Sequence, residues 1–254
     1  MSVPNFKSKY SKKPFFLPEE LVKCQRKAGK FFKNKSPQGV IFCYEQELLE
    51  YILNHYKIKK INNPYGDMYL LEKNKVAVIG NFGLGAPTVA IIIEEFISIG
   101  IKKFISIGTA GSLQTNLKHG DLVVCDRAIR DEGTSYHYLK GSKYAYASDR
   151  MIKNIEQSLK KHNQEYNKGT SWTTDAMFRE TVDEVKQYQK RGVATIDMEA
   201  SALFAIARYR KIDVGVIFTI SDCLVEHNWD PKFHSKDTHR SLELLYNIAI
   251  DVLT

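Results

Sequence analysis

Five stretches of the chain carry residue types that could do chemistry. Ile196-Asp197-Met198-Glu199-Ala200 sets two acids at the start of an alanine-rich apolar run. Acids so placed either complement a helix dipole or, facing a cavity, accept from two hydroxyls of a sugar at once. Ser221-Asp222 closes the apolar run Val214 to Ile220. An acid at the carboxyl end of a strand in an α/β sheet is either a ligand group or a cap for the next element. Ala128 to Tyr138 reads AIRDEGTSYHY and mixes Arg130, two acids, hydroxyls and His137. It is either a binding loop or an ordinary polar surface. Gly169 to Thr181 reads GTSWTTDAMFRET. Trp172, Met177, Phe178 and Arg179 could stack on a planar ring and bond its edge, or the aromatics could belong to a core. The fifth stretch holds Gly80, Gly83 and Gly85 ahead of Ala86-Pro87-Thr88. It matches neither GxGxxG, whose last glycine falls on Thr88, nor a Walker loop, which needs Gly-Lys-Ser/Thr. What remains is a bare backbone turn feeding a helix N-terminus, suited to an anion or simply to tight packing.

The element that must position these groups is Val76 to Leu113, VAVIGNFGLGAPTVAIIIEEFISIGIKKFISIGTAGSL. Val76 to Ile79 predicts a buried strand, and Pro87 sits where a helix has its first turn. Val89, Ile92, Ile93 and Phe96 keep a helical spacing, and Gly100 can end the helix in αL. Phe104 to Ile107 predicts a second strand, followed by an expected small-residue turn, Gly108 to Gly111. Parallel strands need such a crossover.

Elsewhere, Leu17-Pro18-Glu19-Glu20 predicts a helix start, Val40 to Tyr44 a strand and Glu45 to His55 a helix. Met68 to Leu71 is expected to pair with Val76 to Ile79 across Glu72-Lys73-Asn74-Lys75. Leu122 to Ala128 and Val214 to Ile220 predict strands. Arg150 to His162, Val182 to Arg191, Met198 to Arg210 and Ser241 to Leu253 predict helices, the third of them well buried. Alternating strands and helices argue an α/β fold with a parallel or mixed sheet. No repeat, low-complexity linker or composition shift divides residues 1–254, so one domain is expected, with residues 1–17 an arm or meander.

Composition narrows the classes of function. The chain has 254 residues and 43% hydrophobic content, enough for a sizeable core. No apolar run reaches eighteen residues, and MSVPNFKSKY lacks the core of a signal peptide. Cys24, Cys43, Cys125 and Cys223 form no CxxC pair and read as reduced thiols of a cytoplasmic protein. The seven histidines show no ligand spacing with them, so no metal site is expected. The net charge of +8 comes from lysines interleaved with acids, which favours a solvated surface over a nucleic-acid face.

Together these stretches, over residues 76–224 and in consistent order, resemble the nucleoside phosphorylase family of purine nucleoside phosphorylases, uridine phosphorylases and adenosylhomocysteine-type nucleosidases. Gly83-Leu84-Gly85-Ala86-Pro87-Thr88 resembles its phosphate loop, and Ile107-Gly108-Thr109-Ala110-Gly111 its second phosphate and sugar turn. Met198-Glu199-Ala200 resembles its ribose signature, and Ser221-Asp222 its purine-type serine–aspartate. Residues 1–75 match only loosely. The resemblance implies a single-domain three-layer α/β/α sandwich around a mixed, barrel-like sheet, assembled as dimers or a hexamer. It implies cleavage of an N-glycosidic bond with orthophosphate as co-substrate and no cofactor. In that scheme Glu199 holds the 2′- and 3′-hydroxyls and Met198 packs on the sugar. Amides near Gly85 and the Thr109 hydroxyl hold the anion. Asp222 protonates the leaving purine, which needs a raised pKa or a shared proton. Phe178 or Met177 covers the base, and Arg179 reaches its edge.

Two features complicate that expectation. Gly133-Thr134-Ser135-Tyr136-His137 resembles the glycine–x–serine–x–histidine loop of uridine phosphorylases, so His137 keeps a uridine reading open beside the purine one. The arginine usual two residues before the glycine of the second turn is Ser106 here. The early glycine–aspartate–proline–x–arginine stretch has no counterpart in Val40 to Glu45. Arg130 or a basic residue of a second subunit would then supply the charge an arginine fork normally gives to phosphate. Otherwise water attacks and the protein is a nucleoside hydrolase. A nucleoside sensor without turnover is a third expectation, opposed by the presence of both Glu199 and Asp222.

Overall fold

A computed structural model describes residues 4–33, 35–71, 75–225 and 228–254 of the chain. The expected connection at 72–74 lies outside them. In chain order the elements are α1 (Pro18–Lys27), β1 (Gly39–Cys43), α2 (Gln46–His55), β2 (Lys59–Ile61), β3 (Asp67–Leu71), β4 (Val76–Gly80), α3 (Ala86–Ser98), β5 (Lys103–Ser112) and β6 (Leu122–Asp131). There follow β7 (Tyr144–Tyr146), α4 (Asp149–Lys161), β8 (Asn167–Thr174), α5 (Val182–Lys190), β9 (Thr195–Asp197), α6 (Ala200–Arg210), β10 (Asp213–Val225), β11 (Asn228–Pro231) and α7 (Lys236–Leu253).

One mixed sheet runs through the molecule, and part of it closes on itself. Strand β1 lies between β4 and β5, parallel to both, with Val40 opposite Ala77 and Phe104. β3 pairs antiparallel with β4, Met68 opposite Ile79, as the sequence predicts. Beyond β5, the strands β9, β8, β6 and β10 follow in turn, and β10 pairs back onto β5. The five strands form a closed, barrel-like ring, which leaves no free edge where the ring closes.

Alternation along the strands builds two cores. In β1, Val40 and Phe42 join the core shared with α3 and α6. Ile41 and Cys43 face the opposite core, which holds side chains of α2, α4 and α7. A period of two thus sends successive residues of one buried strand to two helical layers, which explains the absence of polar alternation in its sequence. Helix α6 is buried from Ala200 through Ala207, as its alanine-rich composition predicts. Helix α4 instead buries only Met151, Ile155, Ser158 and Leu159, one stripe of an amphipathic helix.

Several boundaries differ from expectation, and the reason is the ring. Gly108 to Gly111 is not a turn but the last part of β5, paired with Phe218 to Asp222 of β10. Its small residues serve close approach: a Cβ on Gly108 would meet Tyr44 Cδ2 at 3.1 Å. The strand β6 continues through Arg130 to Asp131, and β8 takes Gly169 to Thr174 out of the expected loop. Strand β10 runs past Asp222 to Val225. Ser221 is the extra residue of a bulge, since Ile220 faces Ala110 and Asp222 faces Gly111. A bulge of this kind bends the strand and re-aims the side chain that follows it. Helices α6 and α7 begin at Ala200 and Lys236 rather than at Met198 and Ser241.

The closure can be tested at Gly111. A Cβ there would lie 2.8 Å from Leu224 Cδ1, 2.9 Å from Ile196 Cγ2 and 3.2 Å from Asp222 Oδ2. Gly111→Val is expected to destabilise the protein by about 1–3 kcal/mol in chemical denaturation, through overpacking between three strands. An unchanged midpoint would show that the strands do not meet this tightly.

Candidate functional site

The turn after β4 carries Asn81 at φ +55°, Gly83 at φ +85° and Gly85 at φ +99°, so it spends three left-handed residues on reaching α3. Only glycine adopts these angles without strain, which accounts for two of them. The turn brings the Gly85 N–H to 2.6 Å from Glu199 Oε1. The amide expected to hold an external anion therefore holds a carboxylate of the chain itself.

The two acids of Asp197-Met198-Glu199 divide the two readings between them. Asp197 is structural: its carboxylate accepts from Ser171 Oγ at 2.7 Å, Thr173 Oγ1 at 2.9 Å, Glu199 N at 2.8 Å and Ala200 N at 2.6 Å. It thereby ties β8 to the first turn of α6 and satisfies amides that a helix start leaves open. Burial raises its pKa, and the four donors oppose that rise. Glu199 turns the other way, into a cavity. Burial first, and the Asp197 charge second, lift its pKa from the usual 4.5 to about 8, against the Gly85 N–H.

The cavity measures about 430 Å³, and Thr109, Met177, Met198, Glu199 and Asp222 all border it. Asp222 is oriented by hydrogen bonds on both oxygens. Ser221 Oγ donates to Oδ1 at 2.7 Å, and Trp229 Nε1 donates to Oδ2 at 2.8 Å. Thr109 Oγ1 donates to Glu45 Oε1 at 2.7 Å. Five acids line the cavity (Glu45, Glu180, Asp197, Glu199 and Asp222), and no Lys, Arg or His among the described residues does so.

Four expected site residues lie elsewhere. The Arg130 guanidinium donates to Ser135 Oγ at 2.8 Å, Lys140 O at 2.8 Å, Ser142 Oγ at 2.9 Å and Leu139 O at 3.3 Å, and it stacks over Tyr136. Its donors are engaged by its own loop, so it does not supply charge to this cavity. His137 sits in the short helical turn Thr134–His137, where burial and then Lys9 depress its pKa, and it does not line the cavity. Phe178 is 92% exposed, so in this chain Met177 is the one of the pair at the cavity. Arg179 is exposed and stays outside the lining. Trp172 takes the core alternative, its ring tilted against that of Tyr188.

Sequence reasoning missed Glu45, Glu180 and Trp229. Glu45 stands just past the carboxyl end of β1, between the ends of β4 and β5, and that strand-end position was its signal. Burial, then the charges of Asp222 and Glu184, raise Glu180 to about 7. Trp229 faces Asp222 because β11 folds back on β10, a pairing with no cue in the short segment 228–231.

Residues 40–254 match the sequence profile described as the Phosphorylase superfamily. The chain belongs to that superfamily. The match begins at β1, well ahead of the motifs that carry the resemblance in sequence. The guanosine phosphorylase of Halorubrum lacusprofundi is 31% identical over 146 residues, 58% of this chain and 61% of its own length. The chain thus spans under two thirds of that relative. A purine nucleoside phosphorylase of DeoD type from Buchnera aphidicola is 29% identical over 181 residues, 70% of this chain and 75% of its own. The AMP nucleosidase of Bacteroides thetaiotaomicron superposes with a TM-score of 0.77 at 21% identity, covering 93% of this chain and 96% of that one, which shows the shared fold. The protein is an enzyme-superfamily member with a mixed α/β, barrel-containing fold common to nucleoside phosphorylases and nucleosidases. Among the described residues no helix is long and apolar enough to cross a membrane.

The burial of Glu199 has a measurable cost. Its pKa is higher in the folded protein than in the unfolded chain, so the native state holds the extra proton between about 4.5 and 8. Stability must fall as pH rises through that window, because the unfolded state there binds fewer protons. Glu199→Gln removes the titration and is expected to melt above the parent at pH 8.5, with the gap closing by pH 5. A variant that melts below the parent at pH 8.5 contradicts the assignment.

Proposed function

We propose that this member of the superfamily cleaves the N-glycosidic bond of a purine ribonucleoside, with orthophosphate as acceptor, releasing the base and ribose 1-phosphate. The observation that carries the reading is the shared cavity of Glu199 with Met198 and of Asp222 with its two orienting donors. Glu199 accepts from the 2′- and 3′-hydroxyls, and Met198 packs on the sugar. The C1′–N9 bond breaks with its electron pair passing to the base. Asp222, entering the step protonated, gives that proton to the imidazole nitrogen of the leaving purine and is left as the carboxylate held by Ser221 and Trp229, a transfer that typically contributes about 10²–10⁴ in rate. A phosphate oxygen then bonds C1′ from the side of Thr109 and the Gly83–Leu84 turn, where the N-terminus of α3 is positive. Two relatives named as purine-type phosphorylases support both the base and the acceptor. A uracil has no imidazole nitrogen for Asp222 to serve, so uridine is the weaker substrate in this reading.

A second reading, hydrolysis, is favoured by the contact of Glu45 with Thr109 at 2.7 Å. A carboxylate stands there beside the expected phosphate position and could take a proton from an attacking water. Within the described chain no cation lines the cavity to balance phosphate. Phosphorolysis therefore draws its positive charge from outside this lining, and a basic residue of a second copy is the simplest source.

Turnover of inosine, guanosine, adenosine and uridine, with and without phosphate, in the parent and in Glu45→Gln separates the readings. Phosphorolysis predicts saturable dependence on phosphate, ribose 1-phosphate as product and activity retained in Glu45→Gln. Full-rate base release in phosphate-free buffer, with free ribose as product and loss of that rate in Glu45→Gln, establishes the hydrolase instead. Cleavage of uridine alone overturns the purine assignment.

A further inference from the structure

Beside the cavity the fold assembles a second set of chemical groups. Glu47 lies in the first turn of α2, His234 in the connection between β11 and α7, and His239 in the first turn of α7. Glu47 and His234 are 187 positions apart, which is why no spacing in the sequence reveals them. One ligand atom from each of the three lies within 4.8 Å of the others. Glu47 Oε1 is 3.2 Å from His234 Nδ1, and Glu47 Oε2 is 2.6 Å from His239 Nε2. The latter separation is short, and among the described residues the buried His239 Nε2 has no further hydrogen-bond partner. Ion pairing does not account well for the cluster. One carboxylate carries a single charge for two imidazoles, and exposed pairs of this kind contribute only about 0–1 kcal/mol.

Two imidazole nitrogens and a carboxylate oxygen are the donor set of a zinc site with an open fourth position. Bonds of about 2.0–2.1 Å at tetrahedral angles place neighbouring ligand atoms roughly 3.3 Å apart. The Glu47–His234 separation already matches, and the Glu47–His239 one reaches it by rotation of two partly exposed side chains. We propose that Glu47, His234 and His239 form a three-ligand site for a divalent transition cation of the zinc type. Bound there, the cation fastens the β11–α7 connection to α2. Phe233 and Glu45, which line the cavity, are close neighbours of the ligands in sequence, so the cation also sets one wall of that cavity. The site does not depend on which acceptor or base the enzyme uses.

The test uses the full chain, stripped with chelator and titrated with Zn²⁺ by calorimetry and with Co²⁺ by absorption. The expected results are one equivalent per chain, cobalt d–d bands without a thiolate charge-transfer band, and a rise in melting temperature with Zn²⁺. His234→Ala, whose side chain is 83% exposed and packs little, should weaken binding at least tenfold. The His234→Ala/His239→Ala double variant, with its fold checked by circular dichroism, should lose both binding and the thermal shift. If the double variant does not fold, His234→Ala alone decides. No saturable binding in the parent, unchanged affinity in His234→Ala, or a thiolate band pointing to Cys24 overturns the proposal.

Discussion

A single hydrogen bond, Gly85 N–H to Glu199 at 2.6 Å, holds the site to the fold. It joins the turn after β4 to the start of α6, elements separated by 114 positions and by most of the ring of strands. The bond requires a backbone that only glycine adopts easily at φ +99° and a carboxylate held nearly dry. Asp197 makes the second half of the arrangement, because its four donors fix the backbone from which Glu199 projects. The repulsion between the two acids is the cost of this geometry. Burial first, and that repulsion second, raise the Glu199 pKa to about 8. In the proposed reading, a diol entering the cavity meets a carboxyl group already oriented by the Gly85 N–H, with little reorganisation left to do.

The acid-only lining follows from how the elements converge. Glu45, Glu199 and Asp222 arrive from β1, the β9–α6 junction and β10, and Glu180 from the connection between β8 and α5. Carboxylates gathered at the carboxyl ends of strands suit a reaction in which a sugar ring becomes cationic. They also disfavour an anionic nucleophile unless a cation accompanies it. In the proposed reading, the choice between phosphate and water is therefore a question of charge balance.

Much of the fold was legible because its cues are local. The strand–turn–helix of Val76 to Phe96 is read from β-branched residues, glycines and Pro87, and it forms as read. The pairing of β3 with β4 followed from their proximity in sequence. What could not be read depends on the ring. Gly108 to Gly111 looks like a turn by composition and is a strand because β10 and β9 come close on either side. Ser221 looks like a strand end and is a bulge for the same reason. In the site, Met198, Glu199 and Asp222 meet because their motifs end neighbouring elements. Arg130 has the right charge, but its strand continues far enough to bury the guanidinium in its own loop. Glu45 carries only the cue of its strand-end position, and its contact with Thr109 is one that no sequence spacing encodes.

The most direct test of the account is a crystal structure of the protein with a bound purine ribonucleoside. The account predicts the ribose diol on the Glu199 carboxylate, the sugar against Met198, and the imidazole edge of the base within hydrogen-bond distance of Asp222. A nucleoside bound in the same cavity with Asp222 unengaged, or bound away from Glu199 altogether, contradicts it.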